Sequence, residues 1–280
     1  MYRKLLLQPH DEVGATHEFN KTLQREIHLA RNIQMKLLNG EKPELSSGEV
    51  SGVSIPARLI GGDYFDFYPL SNGKIRIIIG DVMGKGIPAA MLMILTRGAF
   101  RSAAEATKGP GQTLTAMNNA MFRDLRKLGS FVTVFCADWD PATGVFIYAN
   151  AGHSLPVFVR ANIGIVEPPD LKGVMLGGLT GQLYKEEQTQ LKEDDLVFFY
   201  TDGIVEAINH DGEMFQLDRL IQILVKHGHK EASKIEETVI NQISTFTEGL
   251  PQKDDITMVI LKVGDDKTEI INFNAPALNP

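Results

Sequence analysis

Asp63, Asp81, Asp202 and one of the adjacent pair Asp254-Asp255 each stand beside a strand-like apolar run, next to a glycine or another acid. One such aspartate is ordinarily a turn former or a helix cap. Four on separate strands are harder to explain that way, because a sheet aligns its strand ends and would bring the charges together. Without a cation they would repel and raise one another's pKa values; with a divalent ion they become ligands and stay ionised. A buried unpaired carboxylate is too costly, so Asp81 needs a partner, either a metal ion or a basic side chain. Oxygen donors with no Cys or His cluster suit Mg²⁺ or Mn²⁺ and speak against zinc. Two such ions can hold and activate a water for in-line attack on phosphorus and clamp the leaving oxygen, so the spacing points to metal-dependent phosphoryl chemistry.

The element that positions the central carboxylate is the most legible in the chain. Residues 75–79 form a β-branched apolar run that reads as a buried strand ending at Gly80-Asp81. Gly84 and Gly86 flank Lys85, and Pro88 opens a helix expected over 88–106. The turn does not match the phosphate-binding pattern GxxxxGK[ST], because Gly86 follows Lys85. Ser71-Asn72-Gly73 is a hairpin signal, which places Asp63 on the strand antiparallel to the one ending at Asp81.

Elsewhere the pattern predicts strands over 50–59, 131–137, 145–149, 155–159, 196–200 and 256–263. Helices are expected over 112–128, 217–226 and 234–246, and residues 173–181 form a glycine-dense loop. Regular βαβ alternation is absent, which favours an α+β fold with antiparallel sheets and helices outside them. Phe19, Leu23, Ile27, Ala30, Ile33 and Leu37 recur at helical spacing, giving an amphipathic helix over 19–38 that should end near Asn39-Gly40. Such a helix either packs on its own domain or pairs with a second copy. The expected organisation is a leader and regulatory or dimerisation helix over 1–40, with residues 1–16 loose, a catalytic domain over 41–265 and a frayed tail over 266–280.

The formal net charge of −7 argues against non-specific affinity for nucleic acid or an anionic membrane. The single cysteine, Cys136, makes no intramolecular disulfide and lies inside an apolar run, as a core thiol does. Leu5-Leu6-Leu7 is too short for a signal sequence, and no run approaches a membrane span, so the expected compartment is the cytoplasm.

Five motifs occur in order: Gly61-Gly62-Asp63-Tyr64, Gly80-Asp81-Val82-Met83-Gly84-Lys85-Gly86, Ala151-Gly152-His153, Tyr200-Thr201-Asp202-Gly203 and Asp254-Asp255-Ile256-Thr257. Together they resemble the signature of SpoIIE/RsbU-type serine/threonine phosphatases, the bacterial branch of the metal-dependent PPM protein phosphatases, over about residues 50–263. The resemblance implies a β-sandwich of two antiparallel sheets flanked by helices. It also implies two Mn²⁺ or Mg²⁺ ions, with a third left open. Asp81 would bridge the two ions with help from the Val82 carbonyl, Asp63 would hold one, and Asp202 with Asp254 the other. Asp255 is the alternate to Asp254. Asp81 and Asp63 would then be the catalytic carboxylates. The implied substrate is a phosphoserine or phosphothreonine on a STAS-domain anti-anti-sigma factor, whose dephosphorylation starts partner switching.

Two departures from eukaryotic-type members stand out. Met83 replaces a histidine two residues after the bridging aspartate, so the leaving group must be protonated by water or another group; His153 is one candidate. Gly62 replaces a metal-binding acid. Arg58, five residues before Asp63, is placed like their phosphate-binding arginine. The helix after Asp81 is a candidate for regulation by an upstream activator, through packing of the 19–38 helix on or near it. Polar substitution of Ile27 and Ile33 should then change turnover or oligomeric state. The rival readings are a pseudophosphatase that binds a phosphoprotein without turnover and a small-molecule phosphatase.

Overall fold

The computed structural model describes residues 9–38, 42–45, 47–161, 163–166 and 171–266. It opens with α1 (Pro9–Leu38), β1 (Ser47–Ile55), β2 (Tyr64–Pro69) and β3 (Ile75–Val82), followed by α2 (Ile87–Ala106) and α3 (Pro110–Leu128). Then come β4 (Val132–Trp139), β5 (Val145–Ala151), β6 (Val157–Arg160), β7 (Gly164–Val166), β8 (Glu187–Gln190) and β9 (Leu196–Tyr200). The chain continues with α4 (Asp202–Val205), α5 (Gln216–His227), α6 (Ala232–Thr247) and β10 (Ile256–Asp266). The strands form two five-stranded antiparallel sheets, ordered β1-β10-β9-β6-β7 and β2-β3-β4-β5-β8. This is the expected α+β sandwich.

Period-two alternation explains the layering. Along β3, Ile75, Ile77 and Ile79 face the second sheet and join Phe135, Trp139, Phe146, Phe199, Val259 and Leu261 in the inter-sheet core. Ile78 and Val82 face the other way, onto Met93 and Phe100 of α2 and Met117 of α3. On the opposite outer face α5 and α6 bring Leu220, Leu224, Ile235 and Val239 against Phe198, Met258 and Ile260. The result is four layers, helix–sheet–sheet–helix, with Cys136 buried as expected and its thiol pKa raised by that burial.

Arg76 is the exception on β3. Its guanidinium is fully buried under α2 and α3, where it forks onto Asp138 at 2.6 and 2.7 Å and donates to the Ala104 carbonyl at 2.9 Å. Removing one partner of such a pair leaves an uncompensated charge in the interior. Asp138→Ala is therefore expected to cost about 3–5 kcal/mol of stability. Urea unfolding followed by fluorescence of the single tryptophan, Trp139, measures it.

Three local expectations need correction. Residues 9–16, expected to be loose, are helical: Pro9 opens α1 and the first two turns are polar, so no apolar stripe marked them. The first strand ends at Ile55, before Pro56, rather than near residue 59. The edge strands β7 and β8 were not anticipated; β8 has no buried residue and so carries no alternating apolar signal. Asn39-Gly40 and most of the expected 266–280 tail lie outside the described residues. No helix among the described residues is long and apolar enough to cross a membrane.

Candidate active site

The two sheets present their aspartates at one end of the sandwich. Asp63 immediately precedes β2, and Tyr64 pairs with Gly80, so Asp63 and Asp81 come from neighbouring strand ends of one sheet. Asp202 follows β9 and Asp254-Asp255 precede β10, neighbours in the other sheet.

Asp63 is buried and accepts a 2.8 Å hydrogen bond from the Thr201 hydroxyl. That hydroxyl in turn accepts from the Thr257 backbone N–H at 3.0 Å, so it is oriented to donate to Asp63. Burial and then the Asp81 charge push the Asp63 pKa well above the carboxylate range, and Asp81 lies within hydrogen-bonding reach of it. Asp81 itself is pushed up to about 7, first by burial, then by Asp202 and Asp254. Burial and Asp254 raise Asp202 as well. Burial first, and the neighbouring carboxylates second, thus disfavour the charged forms of these aspartates.

The glycines of the motifs make this convergence fit. A Cβ on Gly61 would lie 2.4 Å from Asp255 Oδ2, and one on Gly203 only 2.0 Å from the Asp255 carbonyl. A Cβ on Gly62 would meet the Val82 carbonyl at 3.1 Å and Ala89 at 2.9 Å. Gly62 thus has no room for the acid that eukaryotic-type enzymes carry there. Asp255 is buried, and both its oxygens are engaged by backbone: Oδ1 accepts from Ala57 N–H and Oδ2 from Gly62 N–H, each at 2.7 Å. Asp254 is about one-third exposed and turned instead to Lys85 Nζ, 2.6 Å from its Oδ2.

Among the described residues no three Asp, Glu, His or Cys side chains converge as a ready-made ligand set. The acids gather as two couples, Asp63 with Asp81 and Asp202 with Asp254. The donor chemistry is nevertheless that of a hard divalent ion: carboxylate oxygens, with the Val82 carbonyl beside Gly62 and no sulfur.

Arg58 is exposed and lies against Gly86, within 3.5 Å of where a Cβ there would be. Met83 is exposed beside the same turn. His153 is buried, with Nδ1 3.0 Å from the Thr133 hydroxyl, and Thr133 is the register partner of Asp81. Burial lowers its pKa to about 4, so near neutral pH it is an uncharged packing residue without an imidazolium proton to give.

Three contributors escaped sequence reasoning. Thr201 and Thr257 lie inside quoted motifs, yet a hydroxyl next to an aspartate is too common to signal a role. Gln34 of α1 clasps Gly61, donating to its carbonyl at 2.7 Å and accepting from its N–H at 3.2 Å. With Leu38, which joins the α2 core cluster, it docks only the last turn of α1. Phe19, Leu29 and Ile33 stay exposed, at 66%, 63% and 61%, so the 19–38 helix does not lie along α2.

The model of the family Stage II sporulation protein E (SpoIIE) matches residues 71–264. The chain is 27% identical over 240 residues to the phosphoserine phosphatase RsbU of Bacillus subtilis, a match that covers 86% of this chain and 70% of that protein. Two further relatives are longer, and the match spans 41% and 60% of their lengths. Among solved structures, the SiaA PP2C domain of Pseudomonas aeruginosa superposes with a TM-score of 0.74 at 21% identity, covering 87% of this chain and 98% of that one. RsbX in complex with magnesium gives 0.61 at 15% identity, covering 80% and 99%. A family model that spans most of the sandwich, on a fold shared with PP2C domains, leads to one conclusion: the chain belongs to the SpoIIE family of PP2C-type serine phosphatases.

Proposed function

We propose that the chain dephosphorylates phosphoserine or phosphothreonine on a STAS-domain protein in a partner-switching module. In this reading Mn²⁺ or Mg²⁺ ions are held by Asp63, Asp81, Asp202 and Asp254. One observation carries it: the aspartates of both sheets lie at one end of the sandwich, with Asp81 within hydrogen-bonding reach of Asp63 and in the field of Asp202 and Asp254. Asp81 and Asp63, with the Val82 carbonyl alongside, would hold metal from one sheet, and Asp202 with Asp254 from the other. When bound, the ions supply Lewis-acid polarisation of the phosphoryl group and a lowered pKa for water.

The chain's own residues do the positioning. Thr201 fixes the rotamer of Asp63 by hydrogen bonding. Asp255 ties the Gly61-Gly62 turn to β10 and so holds Asp63 at the height of Asp254. Arg58, exposed beside Gly86, would meet phosphoryl oxygens. With Met83 at the position of the eukaryotic histidine and His153 neutral and buried, solvent protonates the leaving serine oxygen.

The STAS substrate follows from likeness to RsbU, and the exposed apolar stripe of α1 supports a homodimer through the 19–38 helix under control of an upstream activator. The test is phosphate release from a serine-phosphorylated STAS domain, compared with a short phosphopeptide and p-nitrophenyl phosphate. A kcat/KM at least ~10²-fold higher on the STAS protein is expected. Equal values on all three would contradict a protein substrate.

A further inference from the structure

Lys85 is the one charged residue of the five motifs that the proposed chemistry leaves without a role. Its turn is built by two left-handed glycines, Gly84 at φ +100° and Gly86 at φ +71°, which fold the chain back between the end of β3 and the start of α2. The side chain thereby crosses from the sheet that carries Asp81 to the loop before β10. There its ammonium makes two contacts at 2.6 Å, one to Asp254 Oδ2 and one to the Lys253 carbonyl. Its charge is also felt at Asp202. Lys85 therefore stands at the carboxylate couple that the proposed reading assigns to the outer ion.

We infer that Lys85 is the built-in counter-cation of the Asp202–Asp254 couple, and that the ammonium and a divalent ion are alternatives there, so affinity for the outer ion is set by displacement of Lys85. An ammonium and a dication a few ångströms apart repel, and an oxygen that accepts from one has less to give the other. Lys85 can leave without disturbing the core, because the pair is about one-third exposed on both sides and nothing lies within 4 Å of where a Cβ on Gly84 would be. The arrangement partly offsets the charge of the outer couple at low metal and makes occupancy graded with metal concentration. Lys85 is thus a positioning residue that acts through Asp254.

This inference rests on the reading of the cluster as a divalent-ion site, and the experiment separates the two. Free Mn²⁺ is counted by its paramagnetic resonance signal during titration of the wild type, Lys85→Gln, Lys85→Arg, Asp254→Asn and the Lys85→Gln/Asp254→Asn double variant at pH 7.5. Lys85→Gln is expected to bind the weaker ion about tenfold more tightly, with Lys85→Arg like the wild type. In the Asp254→Asn background, Lys85→Gln should change the affinity by less than about threefold. Unchanged or weaker binding in Lys85→Gln overturns the inference, as does a full tenfold gain without Asp254. No Mn²⁺ uptake by the wild type would instead overturn the metal-site reading beneath it.

Discussion

Asp81→Asn is expected to lower metal-dependent phosphate release by on the order of 10³-fold or more, and in the same protein to raise the metal-free melting temperature at pH 8. The two effects share one cause. Asp81 sits among the other aspartates, which a catalytic ion would exploit and which the ion-free chain must tolerate. Its folded pKa is raised to about 7 from an ordinary 3.8, so the folded chain binds that proton more tightly than the unfolded chain. The stability this contributes is complete below pH 3.8 and is lost as the pH rises through about 7. Asparagine stays neutral throughout, so the variant gains on the wild type across that window. After allowance for partial exposure the gain is on the order of 2 kcal/mol at pH 8, or roughly 4–8 °C. His153 works with the opposite sign: its pKa is lowered to about 4, so the stability it contributes is lost as the pH falls from 6.5 toward that value. The difference between Asp81→Asn and the wild type at each pH isolates the Asp81 contribution. Differential scanning calorimetry in EDTA from pH 5 to 8 measures it, and parallel curves for the two proteins would refute the raised pKa of Asp81.

Gly203→Ala is expected to be nearly as damaging to turnover, although it removes no functional group. The added methyl would lie 2.0 Å from the Asp255 carbonyl, a backbone atom that cannot rotate away. The loop before β10 must shift, and it carries Asp254 together with the Asp255 carboxylate that anchors Ala57 and Gly62. Overpacking of this kind costs about 1–3 kcal/mol, and a displacement near 1 Å at a reacting centre costs about 10²-fold in rate. The expected outcome is a folded protein, slightly less stable in urea, with kcat down about 10²-fold and weaker Mn²⁺ binding. Gly98→Ala, on α2 with open space around its Cβ, is the comparison for a glycine far from such a contact. Wild-type turnover in Gly203→Ala would show that the close approach is not what aligns the two couples.

The strands that carry the aspartates were legible because each is an apolar run ended by glycine and acid, a pattern set by burial on both faces. Asp63 and Asp81 could be placed on neighbouring strands from a hairpin signal alone. What stayed hidden depends on contacts across the sandwich. Asp254 and Asp255 are adjacent in sequence, and only the fold shows one turned to Lys85 and the other bonded to the backbone of the 57–62 segment. The need for a partner at these carboxylates admitted a metal or a base; the structure brings in a base at Asp254, from the turn after β3. The first turns of α1 and the polar edge strand β8 gave no signal because neither sequence carries a periodic apolar face. The exposed stripe of α1 was legible as amphipathic, but periodicity cannot tell which surface it meets.

The most direct test of the metal centre is calorimetric titration of Mn²⁺ into the wild-type chain at pH 6.5, in two buffers of different ionisation enthalpy. With its pKa raised to about 7, Asp81 is largely protonated at pH 6.5 and a divalent ion must displace that proton, so saturable binding is expected with net proton release, seen as buffer-dependent heat and abolished in Asp81→Asn. Absence of binding, or binding with buffer-independent heat that survives Asp81→Asn, would contradict a metal centre built on this aspartate cluster.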